Sequence, residues 1–301
     1  MGIKVLLSGL MVFFLIIMLV FYWFIPFQKI EFVSNGGSSN FSLYNFDEEM
    51  QFYSNMRFPN KEISYKINDC PLQKKDDMLR AFDLMSNQTI LEFFPVVNNE
   101  EITISCDDKN RIEGGLFIAG EGGPTNVTQN KNFNVITQGN ILLIKESKCP
   151  QSNIATHELL HVLGFNHSSN SNNIMYPISD CKQTLGDIPN LINEIYSIES
   201  LADLEIEDVS AIMNGKYLDV NISIRNNGLI KSEKAEINIL SGNEIVKKIY
   251  LEPLGQGYGI QITLTNIWIP KLEVNEIEFS IETSFEELNK QNNKKILSIK
   301  E

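Results

Sequence analysis

All three histidines of this 301-residue chain lie within one short segment, HELLHVLGFNH, which ends at residue 167. His157 and His161 are four residues apart, so on a helix their rings project from the same face one turn apart. An ordinary helix would carry His167 away from that face. Gly164 can adopt a left-handed backbone without steric cost, so the helix can end there and the chain can turn back. The segment therefore predicts a helix, a sharp turn and three imidazoles that meet.

Three imidazoles around one point are a ligand set for a tetrahedral zinc ion, at nitrogen–zinc distances of about 2.0–2.1 Å. Three protein ligands leave the fourth position open for water, which is typical of a catalytic rather than a structural zinc. Glu158 stands in the pattern HExxH, in which the glutamate takes the proton of that water. The competing interpretation is that three unrelated histidines fall at ligand spacing by accident. We predict one catalytic Zn²⁺ bound by His157, His161 and His167, with Glu158 as general base.

The histidine segment and the sequence IMYP at 174–177 together resemble the metzincin metalloproteases, and most closely the matrixins. Met175 lies eight residues beyond His167, as is typical of matrixins. The resemblance implies that Met175 packs beneath the zinc ligands as an apolar floor and that Tyr176 does not bind the metal. It also implies an α+β catalytic domain, with a twisted mixed β-sheet, long helices and zinc in a cleft.

The stretch GGLFIAG at 114–120 resembles the matrixin edge strand, which aligns a bound peptide by β-augmentation. Gly115, Phe117 and Ala119 are accordingly candidates for substrate contact. Two features depart from the family. No histidine is left for a second, structural zinc, and the chain reads PIS at 177–179 where the matrixin specificity wall carries Pro-x-Tyr.

Local patterns predict further elements of this region. Met78, Phe82 and Met85 lie at helical spacing, which predicts a helix over 75–94. The sequence GGLFIAGEGGPT at 114–125 predicts a strand that leads into a glycine-rich loop.

Residues 5–27 form an apolar run without a charged residue. As a helix rising 1.5 Å per residue, this run spans about 34 Å, which exceeds a hydrocarbon thickness of about 30 Å. The alternative, a cleaved signal peptide, has a shorter apolar region of about 7–15 residues and a small-residue cleavage site. Lys4 before the run favours a cytoplasmic N-terminus. We predict a single-pass anchor at 5–27 in the cell membrane, with residues 1–4 in the cytoplasm and the catalytic domain outside it.

The four cysteines indicate two disulfides in an oxidising compartment. Four cysteines allow three pairings, and we predict the sequence-local one, Cys70–Cys106 and Cys149–Cys181. The second bond would fasten both flanks of the histidine segment. A zinc thiolate site is the alternative, but the chain lacks the C-x-x-C spacing of such sites.

Beyond residue 203, apolar and polar residues alternate with period two in several short runs. The pattern predicts an antiparallel β-sandwich and resembles the CARDB-type, immunoglobulin-like modules of extracellular proteins. The domain prediction is a linker at 28–60 that contains the flexible stretch NGGSSN, a matrixin-like domain at 61–201 and a β-sandwich at 202–301. The ligand of the sandwich is not predicted.

The net charge of −13 argues against a nucleic-acid partner, because binding phosphates needs clustered Lys and Arg. The Asp and Asn residues form no clear ligand string for Ca²⁺. The predicted function is a membrane-anchored zinc endopeptidase that hydrolyses extracytoplasmic proteins or peptides. The alternative is a catalytically inactive metzincin-fold surface protein that acts in adhesion or binding through the sandwich.

Overall fold

The structure is a computed structural model that describes residues 3–23, 29–34, 50–109, 111–113, 116–270 and 274–299. Its α-helices are α1 (Ile3–Trp23), α2 (Leu72–Gln88), α3 (Asn153–Val162) and α4 (Ile188–Tyr196). The strands are, in chain order, β1 (Lys29–Ser34), β2 (Met56–Arg57), β3 (Glu62–Ile67), β4 (Glu92–Pro95), β5 (Ile102–Cys106), β6 (Ile112–Glu113), β7 (Leu116–Phe117), β8 (Gly120–Gln129), β9 (Asn134–Leu143), β10 (Leu204–Asn214), β11 (Tyr217–Asn226), β12 (Ala235–Ser241), β13 (Glu244–Leu251), β14 (Gly259–Trp268), β15 (Glu276–Thr283) and β16 (Lys294–Ile299). One turn of 3₁₀-helix, Gln291–Asn293, precedes β16.

The predicted membrane anchor coincides largely with α1, whose side chains are described from Gly9 to Val20. Residues 24–28 lie outside the described part of the chain. Within the part that is described, no helix has the combination of length and hydropathy needed to cross a membrane. The anchor at 5–27 therefore gains no support from the structure.

The predicted linker at 28–60 is wrong at both of its ends. At one end β1 pairs with β10 and with β16, and Phe32 is buried in the core of the C-terminal module. At the other end β2 pairs in parallel with β9. Both strands are short and obtain their hydrogen bonds from distant parts of the chain, so no local pattern reveals them. The stretch NGGSSN at 35–40 lies outside the described residues.

The predicted catalytic region contains a mixed sheet, as the resemblance to matrixins implies. Its strands follow the order β2-β9-β5-β3-β4 and are mutually parallel, while β8 pairs antiparallel with β9. Among the described residues β8 has no other strand partner, so it forms an edge of the sheet. Met78 and Phe82 of α2 and Leu159 of α3 belong to the core cluster that also contains the buried strand residues.

The helix predicted over 75–94 is shorter than expected, because α2 ends at Gln88. Thr89 has extended backbone angles, and both its N–H and its hydroxyl donate to the Met85 carbonyl, at 2.9 and 2.8 Å. These bonds satisfy the last turn of the helix. Phe93 and Phe94, at the end of the predicted range, belong to β4, which pairs in parallel with β3.

The C-terminal module is built only from antiparallel strands, in the order β13-β12-β15-β16-β1-β10-β11-β14. On β11 every second residue is at most 2% exposed, namely Leu218, Val220, Ile222 and Ile224. This burial agrees with the predicted period of two. β1 pairs with β10 through Phe32 and the residues before it, and with β16 through Phe32 and the residues after it. It therefore joins two groups of strands, β13-β12-β15-β16 and β10-β11-β14, that share no other strand pairing within the described residues.

Candidate metal centre and cleft

Helix α3 places His157 and His161 on one face, and the turn that follows brings His167 to the same point. The Nε2 atoms are 3.0 Å apart between His157 and His161, 3.2 Å between His161 and His167, and 3.3 Å between His157 and His167. A tetrahedral zinc ion with bonds of about 2.0–2.1 Å separates its nitrogen ligands by about 3.3 Å. Of the His, Cys, Asp and Glu side chains in the described ranges, these three form the group that could share a metal ion. The triangle fits a zinc ion.

Backbone carbonyls determine which nitrogen of the His157 and His161 rings is free for a metal. His157 Nδ1 lies 2.7 Å from the carbonyl oxygen of Ile174, and His161 Nδ1 lies 2.8 Å from that of Phe165. A carbonyl only accepts hydrogen bonds, so each Nδ1 carries the proton and each Nε2 keeps its lone pair. Lone pairs directed at one another repel unless a cation lies between them. This donor set therefore suits a metal.

Burial also prepares the rings to bind a metal near neutral pH. It lowers the pKa of His161 to about 4, with the neighbouring His157 adding to the effect. Burial lowers the pKa of His157 and of His167 as well. The neutral imidazole is the form that binds a metal ion. All three ligands are therefore in the required protonation state at neutral pH.

Gly164 makes the turn after α3 in the predicted way. Its φ is +97°, in the region that side chains disfavour. A Cβ built on it would lie 2.8 Å from Sδ of Met56, so the site has no room for a side chain either. The N–H of Gly164 donates to the carbonyl of His161 at 3.0 Å, which closes the last turn of the helix. Glycine is required here by backbone angle and by space.

The segment that follows the third histidine is tied to the metal centre through its backbone. Met175 is fully buried and belongs to the core cluster of the catalytic region. Its N–H donates to Oδ1 of Asn173 at 2.8 Å, and its carbonyl accepts from the N–H of Ser168 at 2.9 Å. The preceding carbonyl, of Ile174, is the one that orients His157. The apolar floor formed by Met175 remains a prediction.

The side chain of Glu158, a residue of α3, lies between this helix and the edge strand β8. It is 6% exposed, and burial raises its pKa to about 8, with Glu121 adding to the rise and the N–H of Gly122 opposing it by hydrogen bonding to the carboxylate. A Cβ on Gly120 would lie 2.7 Å from Cγ of Glu158, and a Cβ on Gly122 would overlap the Glu158 carbonyl oxygen. β8 can cross α3 at this distance only because these two positions lack side chains.

The three residues predicted to contact substrate do not lie together on one strand of the described structure. Gly115 lies outside the described residues, and Phe117 is in β7, which pairs with β6 in a separate two-stranded ribbon. Ala119 lines the cleft, and the edge strand begins at Gly120. The glycine-rich stretch predicted as a loop is thus part of the strand. Its glycines serve the close approach to α3, a tertiary requirement that a local pattern does not reveal.

The cleft beside the histidines is a cavity of about 730 Å³. It is lined by the segments 118–122 and 176–179, by Ile154, and by Glu158 and the three histidines. The segment PIS at 177–179, which stands where matrixins have their specificity wall, therefore borders the cleft. Ile118, Ile154 and Ile178 make part of the lining apolar.

Both sequence-local disulfides are present in the structure. Cys70–Cys106 connects the residues before α2 to the end of β5, and Cys149–Cys181 connects the residues before α3 to those after the cleft wall. Nδ2 of Asn153, the first residue of α3, also donates to the carbonyl of Asp180 at 2.7 Å. The wall and the metal-binding helix are thus fastened to each other.

Sequence reasoning missed one aromatic residue at the metal centre. Phe52 stacks on the ring of His161, with centroids 5.8 Å apart and planes inclined by 22°. Its N–H donates to the carbonyl of Gly164 at 2.9 Å, and the N–H of Asn166 donates to the carbonyl of Met50 at 3.0 Å. Met50 and Phe52 lie within the predicted linker, and their own sequence carries no signal for the contact.

Comparisons with known proteins agree with this two-part architecture. Residues 57–197 match the family model described as matrixin, and residues 201–296 match the one described as CARDB. The prediction of a matrixin-like domain followed by a CARDB module is therefore confirmed.

Matrix metalloproteinase-26 of Homo sapiens is 30% identical over 129 residues, which cover 38% of this chain and 46% of that protein. The chain thus spans about half the length of the curated relative that it matches. A solved CARDB domain of Pyrococcus furiosus in complex with di-metal ions is 18% identical, covers 33% of this chain and 88% of that domain, and has a TM-score of 0.28. With so low a TM-score, this similarity supports no conclusion about the present chain.

Proposed function

We propose that the matrixin-like domain is a zinc-dependent endopeptidase. The triangle of Nε2 atoms beside the buried Glu158, in a cleft bordered by an edge strand, carries this conclusion. Zinc bound by His157, His161 and His167 would supply a Lewis acid that polarises a peptide carbonyl and makes water more acidic.

Glu158 is the residue that would move the proton. Its carboxylate accepts from the N–H of Gly122, which holds it against β8. Burial favours the protonated form, whereas a nearby cation favours the ionised form. A carboxylate balanced between these effects can take a proton from the attacking water and give it to the leaving amine.

β8 would align the substrate. Its free edge offers main-chain N–H and carbonyl groups to an extended peptide. The missing side chains at Gly120 and Gly122 let this edge strand lie directly against Glu158. The isoleucines at 118, 154 and 178 offer an apolar environment to the side chain that follows the scissile bond.

The alternative function, binding without turnover through the sandwich, is not favoured. A decayed peptidase site usually loses a ligand or the glutamate, whereas this chain keeps all four residues and brings the three rings within 3.3 Å of one another.

Replacement of Glu158 by Gln tests the assignment of the base. In the full-length chain we expect about one zinc per chain to remain bound, while hydrolysis of a denatured protein falls about 10²–10⁴-fold, the usual contribution of a general base. Zinc is measured by atomic emission and cleavage by mass spectrometry, with and without a chelator.

The matched control is Glu199→Gln, which removes a carboxylate on the loop after α4. This variant should cleave at the wild-type rate. Unchanged turnover in Glu158→Gln would refute the role of Glu158, and a zinc-loaded wild type that cleaves nothing would favour the binding protein.

The two disulfides support a location in an oxidising compartment outside the cytoplasm, because such bonds persist there. Attachment to the cell membrane rests on the sequence alone.

A further inference from the structure

The far end of β8 is fastened to the C-terminal module by hydrogen bonds. β8 and β9 form a hairpin whose tip is residues 130–133. Nδ2 of Asn130 donates to the carbonyl of Gly228 at 2.9 Å, and Nζ of Lys131 donates to a carboxylate oxygen of Glu205 at 2.8 Å. The hairpin tip therefore does not project freely into solvent.

Apolar packing and a close backbone contact secure the same junction. Phe133 is 1% exposed and forms a small buried cluster with Leu229 of the module. Gly257 has φ of +72°, and a Cβ built on it would overlap the Thr128 methyl group and lie 3.2 Å from the Gln129 carbonyl oxygen. Only glycine fits such an approach. The turn at 255–258 thus abuts the last residues of β8.

This turn presents an aromatic ring in a fixed position. Arg225 donates from Nη1 to the carbonyl of Gly257 at 2.8 Å, and the N–H of Asn226 donates to the carbonyl of Tyr258 at 3.0 Å. The Tyr258 ring lies against Gly255, where an added Cβ would be 3.0 Å from Cδ2 of the ring. Tyr258 is nevertheless 68% exposed.

β8 therefore leads from the candidate catalytic residue to this ring. Gly122, beside Glu158, and Gln129, beside Gly257, are seven residues apart, or about 23 Å at about 3.3 Å per residue. An extended peptide covers the same distance with about seven residues. Pro124 has no N–H and irregular pairing follows it, so continuous main-chain pairing is not available along this path. Contact at the far end must therefore come from side chains.

We propose that the 255–258 turn is a remote subsite of the cleft, in which Tyr258 binds an apolar or aromatic side chain of an extended polypeptide substrate. The subsite presupposes the endopeptidase function proposed above. The substrate that lies along β8 would also reach this subsite, because the two surfaces adjoin at Gly257. An exposed tyrosine on a rigid turn offers a large contact area at low entropic cost. The C-terminal module would thus favour long unfolded substrates over short peptides.

Binding to the full-length Glu158→Gln protein, loaded with zinc, tests the subsite without turnover. The probes are a fluorescent octapeptide with leucine after its central bond, and two versions extended by eight residues, one at each end. Each extension carries tryptophan at the seventh residue from the central bond, and matched peptides carry serine there. Dissociation constants come from fluorescence anisotropy. The same peptides are offered to the wild-type enzyme, and that cleavage decides the endopeptidase function separately.

We expect one of the two tryptophan extensions to bind about three- to tenfold more tightly than its serine counterpart, the range of one aromatic contact. Adding Tyr258→Ala should abolish that difference. Tyr250→Ala, which removes a ring that is 80% exposed on β13, should preserve it. The subsite is refuted if neither extension gains, if the gain survives Tyr258→Ala, or if ultracentrifugation shows that Tyr258 holds two copies of the chain together.

Discussion

At the scale of single residues, Asp203 is a carboxylate outside the metal centre whose ionised form is destabilised by burial. It is fully buried where the sandwich begins, and it accepts from Nδ2 of Asn292 at 2.9 Å and from Nδ2 of Asn132 at 3.4 Å. Burial raises its pKa to about 6 from an ordinary 3.8, although the bond from Asn292 acts in the opposite direction. The neighbouring carboxylates of Glu205 and Glu287 add to the rise.

The raised pKa predicts a pH-dependent loss of stability. The folded chain binds the Asp203 proton more tightly than the unfolded chain, so the contribution of this residue is fully present below about pH 4 and is lost as pH rises through about 6. A difference of about two pKa units corresponds to about 3 kcal/mol of unfolding free energy. Asp203→Asn should remove this dependence.

Urea unfolding at pH 4, 5, 6 and 7 checks the prediction. The unfolding free energy of Asp203→Asn minus that of wild type should increase by about 2 kcal/mol from pH 4 to pH 7, because only the wild type loses stability. A difference between the two proteins that stays constant with pH would contradict the raised pKa.

At the scale of elements, the crossing of β8 over α3 is the feature that brings an edge strand to the three histidines. Gly122 is needed because a side chain there would collide with the backbone of the helix at Glu158. A Cβ added to Gly123, the next residue of the strand, would have nothing within 4 Å. A methyl group therefore fits at Gly123 but not at Gly122.

We therefore expect Gly122→Ala to push β8 away from α3, which should lower the unfolding free energy by about 1–3 kcal/mol and reduce peptide cleavage at least tenfold. Gly123→Ala should change both quantities little. Thermal unfolding and cleavage of one denatured substrate measure the two effects. Equal behaviour of the two variants would show that the crossing has more space than the structure indicates.

The sequence predicts those elements whose requirements are local. The helix with His157 and His161, the turn at Gly164 and the alternation in β11 each follow from spacing within a few residues. The start of β8 has the composition of a loop, because its glycines allow close contact with α3, a helix that lies distant in the sequence. Phe52 escapes prediction for the same reason, since its partner is the ring of His161 and its own segment has no periodicity.

At the scale of the whole molecule, the matrixin-like domain is an insertion between two strands of one module. β1 precedes this domain and β10 follows it, yet the two strands pair directly. β16, at the other end of the module, pairs with the opposite side of β1. The CARDB match at 201–296 therefore omits one strand that the folded module contains.

A chain that begins at residue 35 should accordingly have a less stable sandwich than one that begins at residue 29, because removal of β1 leaves edges of β10 and β16 unpaired. Such edges pair with other chains. We expect a lower Tm and soluble oligomers for the shorter chain, measured by calorimetry and size-exclusion chromatography. Identical melting and a monomeric shorter chain would show that β1 contributes nothing to the module.

The position of β1 also decides where mechanical load enters the molecule. A pull on the N-terminal helix is transmitted first to the hydrogen-bond ladders that β1 makes with β10 and β16. The matrixin-like domain lies beyond these ladders along the chain and bears tension only after they rupture. Traction applied from that end would therefore leave the three histidines undisturbed until the sandwich opened.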